Sequence, residues 1–117
     1  MSDYRAPIKD MRFVMDEIAG FAEIGQLPGC EEATPDLADA ILDEAAKLAS
    51  EVLAPLNRLG DQQGCQLTAS GVTTPQGWKE AYDQYREAGW NGITLPAEFG
   101  GQGLPDLLGI AVKEMIC

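Results

Sequence analysis

Gly89-Trp90-Asn91-Gly92-Ile93-Thr94-Leu95-Pro96-Ala97-Glu98-Phe99-Gly100-Gly101-Gln102-Gly103-Leu104-Pro105 is the stretch on which the fold turns. Five glycines, two prolines and two large aromatics in this run exclude regular helix, yet a helical pattern stands on each side. Glycine opens backbone conformations closed to other residues and proline removes options, so the loop is built for one defined path. Glycine-rich loops more often join elements than cradle ligands, and on spacing alone this one reads as a tight connection between two helices.

Upstream of the loop, Trp78, Tyr82 and Tyr85 share one stripe of a helix that ends at Gly89, and Thr74-Pro75 supplies a hydroxyl-proline start for it. Aromatics at helical spacing usually fill a core, and the core is where Trp78 and Tyr82 are expected. Downstream, Pro105 and Asp106 begin a last helix in which Leu107, Leu108, Ala111 and Met115 share a face. Thr34-Pro35-Asp36 is the strongest helix start in the chain: a hydroxyl cap, proline at the first helical position and an acid in the first turn. The long helix that follows carries Leu37, Ile41, Leu42, Ala45, Leu48, Ala49, Val52 and Leu53 on its apolar side. Pro55 predicts a bend near Ala54, and Gly60 the stop.

Ahead of these lies a short amphipathic helix, with Met11, Val14, Met15 and Ile18 at i, i+3, i+4 and i+7 and Asp10 as its cap. Residues 61–73 read as a loop with a brief extended piece at Gln66-Leu67. No run is long enough for a convincing strand, since Gly92-Ile93-Thr94-Leu95 meets Pro96 at once. The expected fold class is all-α, a bundle of about four helices with a long, bent central helix.

Composition bounds the function. The chain has 117 residues, 45% hydrophobic and 23% charged, which fits one folded globular domain. Its net charge is -11, and three of the eight basic residues (Arg5, Lys9, Arg12) fall in the first twelve positions. Nucleic acid and anionic membrane surfaces are therefore poor partners. No apolar run has the length of a membrane span and the N-terminus lacks an apolar leader, so a cytoplasmic location is expected. Cys30, Cys65 and Cys117 are far apart and histidine is absent, which supports neither a disulfide framework, a metal site nor a catalytic triad.

Gly101-Gln102-Gly103 resembles part of a dinucleotide fingerprint but lacks the preceding strand, and no Gly-Lys-Ser/Thr phosphate loop exists. The acidic pairs Asp16-Glu17, Glu31-Glu32 and Asp43-Glu44 point about 100° apart on a helix and read as solvated faces. Glu98 in the loop and Glu114 on the last helix are set apart by position, with solvation or a local hydrogen bond as their expected role.

Three features together resemble the N-terminal helical domain of the acyl-CoA dehydrogenases. They are the long helix with an interior proline, the Trp-x-x-x-Tyr helix ending at Gly89, and Leu95-Pro96-Ala97-Glu98-Phe99-Gly100-Gly101-Gln102-Gly103. The family's Gly-Trp, then Pro-x-x-x-Gly-Gly-x-Gly, then a helix bearing Glu, is matched by Gly89-Trp90, Pro96, Gly100, Gly101, Gly103 and Glu114. The likeness covers residues 34–117. Residues 1–33, with Tyr4-Arg5-Ala6-Pro7 and the short amphipathic helix, look like the N-terminal extension of a bacterial branch that includes long-chain-type and methylthio-propanoyl-CoA dehydrogenases.

The resemblance implies a parent flavoprotein that uses FAD to oxidise an acyl-CoA to the trans-2-enoyl-CoA and passes electrons to an electron-transfer flavoprotein. It places the catalytic glutamate in a C-terminal helical domain and much of the flavin site in a middle β-domain, neither of which is in this sequence. It also implies that the segment from Trp90 to Leu108 walls one side of the substrate cavity, with Phe99, Gly100, Gly101, Gly103 and Leu104 as wall residues. The chain stops fourteen residues after Gly103, still in a helical pattern, so the expectation is a fragment truncated before the β-domain. Such a fragment is expected to be inactive, to retain no FAD, and to form homo-oligomers through exposed apolar surface. The rival expectation is a stand-alone helical interaction module, which would use the Met11-Val14-Met15-Ile18 stripe or the Trp78 helix. A third is a degenerate remnant of the family.

Overall fold

The structure, a computed structural model, describes residues 3–117, leaving residues 1 and 2 of the N-terminal segment outside it. Its regular structure is helical except for one small hairpin, in agreement with the all-α expectation. The elements are α1 (Ile8–Phe13), α2 (Phe21–Ile24), α3 (Pro35–Lys47), α4 (Ala54–Gln63), β1 (Gln66–Thr68), β2 (Gly71–Thr73), α5 (Trp78–Glu87) and α6 (Asp106–Ile116).

Helix α3 starts where its cap chemistry requires. The Leu37 amide donates to Thr34 Oγ1 at 3.2 Å, Pro35 occupies the first turn without leaving an orphan N–H, and Asp36 faces the positive end of the helix. Ala38, Leu42 and Ala45 form its buried stripe, which Ala49 continues past its end, and they pack in one cluster with Leu108, Ala111, Val112 and Met115 of α6. Alanine at three of those four positions lets the two helices lie close together.

Past Lys47 the helix widens into a π-helical turn, Leu48–Leu53, before α4 resumes the α form. Pro55 has no N–H to give the carbonyl one turn back, and the ladder accommodates it upstream: the Ala54 amide donates to Ala49, five residues earlier. The Ser50 hydroxyl donates to the Ala46 carbonyl at 2.8 Å. The interior proline thus produces a change of register before Ala54.

Gly60 does not end this helix, which runs on to Gln63. It is buried under the Trp78 indole, and a Cβ there would lie 2.5 Å from Trp78 Cζ2. The glycine provides clearance for an aromatic from a later helix. Thr74-Pro75 likewise fails as a helix start. Pro75 is buried, the Gln76 amide donates to Gln63 Oε1 at 2.9 Å, and α5 begins two residues later, after a left-handed Gly77. The loop between α4 and α5 holds the antiparallel hairpin β1–β2, in register Gln66 with Thr73 and Thr68 with Gly71. The brief extended piece expected at Gln66-Leu67 is its first strand.

The N-terminal segment docks on the same core. Met11, Met15, Phe21 and Ala33 belong to the buried cluster. Arg12 ties α1 to α3, its Nε lying 2.8 Å from Asp39 and its Nη2 3.2 Å from Asp16, with its guanidinium 5.6 Å from the Phe21 ring centre. Two corrections arise here. The helix begins at Ile8 behind Pro7, so Asp10 lies in the first turn and makes no side-chain cap. From Val14 to Ile18 it is π-helical, and the wider turn rotates Val14 and Ile18 off the buried face; Ile18 is 70% exposed.

Candidate functional site

The Gly89–Pro105 loop is a folded unit. Its two halves run back along one another, with the amide of Gln102 donating to Gly92, Gly103 to Leu95 and Leu104 to Ile93, at 2.9, 2.9 and 3.0 Å. Short 3-10 turns at Trp90–Gly92 and Ala97–Phe99 make the bends. Gly101 sits directly against the Leu95 carbonyl, and a Cβ on it would collide with that backbone and come within 2.6 Å of Leu95 Cβ. Gly103 has φ +64°, in the left-handed region that suits glycine. Ile93 and Leu104 are buried and pin the loop to the α3–α6 core.

Of the five expected wall residues, the structure therefore buries Leu104, half-buries Gly101, and leaves Phe99, Gly100 and Gly103 exposed. Phe99 is 77% exposed, on the outer tip of the loop. The five share one loop, and none of them lines either of the two main grooves among the described residues. Glu98 and Glu114 are both exposed, on the loop and on α6.

The larger groove, of about 620 Å³, lies elsewhere. Leu53, Leu56, Trp78, Tyr82 and Tyr85 line one side of it and Met115 of α6 the other. Trp78 and Tyr82 are 44% and 58% exposed, so the aromatic stripe of α5 faces this groove and is not the core that periodicity suggested. A helical stripe shows which residues share a face; what covers that face depends on elements far away in sequence. The Tyr85 hydroxyl is pushed up from its ordinary pKa by burial first, and then by negative charge at Cys117 and by Tyr82. A second groove, of about 590 Å³, lies along α3 and the π-helical turn, with Lys47, Val52, Trp90 and Gln102 in its lining. Lys47 is committed there to Glu44 at 2.6 Å, and that hydrogen bond raises its pKa.

Neither groove presents an unpaired cation to the pyrophosphate of a flavin nucleotide. A pyrophosphate calls for cations or a helix N-terminus aimed at it. The aromatic groove has no Lys or Arg in its lining, and the lysine of the second is already paired. Among the described residues no cluster of His, Cys, Asp or Glu is placed to hold a metal ion, and no helix is long and apolar enough to cross a membrane.

No protein-family model matches the chain. Two curated proteins are similar to it. The 3-methylmercaptopropionyl-CoA dehydrogenase of Ruegeria pomeroyi is 36% identical over 113 residues, which is 97% of this chain and 19% of that protein. The butyryl-CoA dehydrogenase of Syntrophomonas wolfei is 30% identical over 94 residues, 74% of this chain and 15% of that protein. The chain thus spans less than a fifth of the length of either relative. By homology along nearly all of its own length, the chain belongs to the acyl-CoA dehydrogenase family.

Proposed function

We propose that the chain is the N-terminal helical domain of a flavin-dependent acyl-CoA dehydrogenase, following an N-terminal extension over residues 1–33. The parent protein would oxidise an acyl-CoA thioester to the trans-2-enoyl-CoA and hand electrons to an electron-transfer flavoprotein in the cytoplasm. The observation that carries this reading is the match to the Ruegeria pomeroyi dehydrogenase over 97% of the chain. The domain's part is to present a stiff wall to a cavity whose catalytic glutamate and flavin-holding β-domain belong to other segments.

Phe99, Gly100, Gly101, Gly103 and Leu104 are assigned to that wall. The cross-bonded loop supports the assignment, since it holds a large apolar side chain in solvent at its tip, where unassisted exposure of an aromatic is unfavourable. In a chimera of the Ruegeria pomeroyi relative with its matching segment replaced by this chain, Phe99→Ala should raise KM for the acyl-CoA about tenfold, equivalent to about 1.4 kcal/mol, with kcat held. Unchanged KM removes Phe99 from the wall.

The separate 117-residue chain is proposed to be inactive, to retain no FAD, and to self-associate through exposed apolar residues such as Leu67, Val72 and Phe99. Mixed with FAD and octanoyl-CoA, it should leave the flavin absorbance unbleached, and light scattering should give a mass above that of the monomer. Bleaching would overturn the first statement, and a strict monomer at high concentration the second.

A further inference from the structure

Residues 54–88 stand apart from the rest of the molecule. No residue among them belongs to the hydrophobic cluster that joins α1, α2, α3, the glycine loop and α6. Their buried apolar side chains are Pro75 and Ala81, both small. Internally they are well braced. Gly60 receives the Trp78 indole, Gly77 abuts Leu56, Gln63 accepts from the Gln76 amide, and Lys79 pairs with Asp83 at 2.6 Å. A segment that is stiff within itself and shares little buried apolar surface with its neighbours is expected to move as a unit.

Both of its junctions are suited to turning. At the N-terminal end lies the π-helical turn Leu48–Leu53, where the hydrogen-bond ladder changes register. Such segments inside an α-helix are frequent at functional sites. At the C-terminal end Gly89 has φ +82°. The shape agrees: the radius of gyration is 16.5 Å, against about 13 Å for a compact chain of this length. The longest dimension is 53 Å and the shortest 18 Å.

We propose that residues 54–88 swing as one rigid arm about the Leu48–Leu53 turn and Gly89, and that this motion sets the width of the aromatic groove. The groove has one wall on the arm, with Leu56, Trp78 and Tyr82, and the other on the core, with Met115. The second groove meets the same helix along an adjacent face, at Gln84 and Ala88. Rotation of α5 toward α6 narrows the first as it widens the second. The inference rests on packing within this chain and stands whether or not the family's activity is ever assigned to it.

The test uses paired spin labels on the whole chain, with Cys30→Ser and Cys117→Ser removing two of the three thiols. One pair spans the hinge, native Cys65 with Lys113→Cys on α6; the other lies within the arm, Cys65 with Gln84→Cys. Cys65, Gln84, Lys113 and Cys117 are exposed and Cys30 is half-buried outside the hydrophobic cluster, so these changes leave the core intact, and circular dichroism checks the helix content. The expected result is a hinge-spanning distance distribution about twofold broader than the within-arm one, as rigid-body hinge motion requires. Equal narrow widths would show a fixed arm, and equal broad widths an arm that frays; either result overturns the proposal.

Discussion

Phe21→Ala should cost about 4 kcal/mol of folding stability and lower the melting temperature by more than 10 °C, in one cooperative transition. Phe21 is fully buried and, with Leu42 and Leu108, among the largest side chains in that state in the described residues. It belongs to α2, a helix of four residues that cannot hold itself in water. The ring is therefore the anchor of the whole N-terminal segment. It also lies under the Arg12 guanidinium, whose Nη1 is buried without a hydrogen-bond partner. Truncation opens a cavity and removes the ring face that stabilises a largely desolvated cation. Differential scanning calorimetry is the check. Two separate transitions, or a loss under 1 kcal/mol, would mean that residues 3–33 are an independent appendage and not part of the core.

Gly101→Ala should cost about 3 kcal/mol, large for the addition of one methyl group. The new Cβ would meet the Leu95 carbonyl, a backbone atom that already accepts from the Gly103 amide, so no side chain can rotate away to make room. The halves of the loop must separate, which loosens Ile93 and Leu104 from the core they pin. Gly100→Ala is the contrasting substitution. Its Cβ meets nothing within 4 Å, and with φ +84° its cost is the intrinsic strain of a left-handed alanine, about 1 kcal/mol. Urea titration of both variants separates close approach from backbone conformation; equal losses would contradict the stated role of Gly101.

The limits of the sequence show in pairs of residues that look alike. Thr34-Pro35 and Thr74-Pro75 carry the same start signal, and only the first opens a helix. The cap at Thr34 is local chemistry, a bond to an amide three residues on. At Pro75 the outcome depends on Gln63, thirteen residues before Gln76, whose side-chain oxygen takes the Gln76 amide in the turn that precedes α5. Gly60 and Gly89 both signal helix ends, yet Gly60 is needed by Trp78. The hairpin strands are three residues each, too short for a period to show, and Leu67 and Val72 face solvent instead of a core.

The same contrast holds at the candidate site. The loop's stiffness was legible because glycine and proline act on their own backbone. The aromatic groove was not, because Leu53, Trp78 and Met115 meet only after the chain has folded back. A signal was present in the small residue at position 60 and in an aromatic stripe on α5 too polar on its other faces to lie in a core.

The most direct measurement of the central claim is flavin chemistry in the chimera that carries this chain in place of the matching segment of the Ruegeria pomeroyi dehydrogenase. If the chain is the N-terminal domain of a protein of that family, the purified chimera retains FAD and 3-methylmercaptopropionyl-CoA bleaches it. A folded chimera that emerges without flavin, or whose flavin the thioester leaves oxidised, would contradict the account.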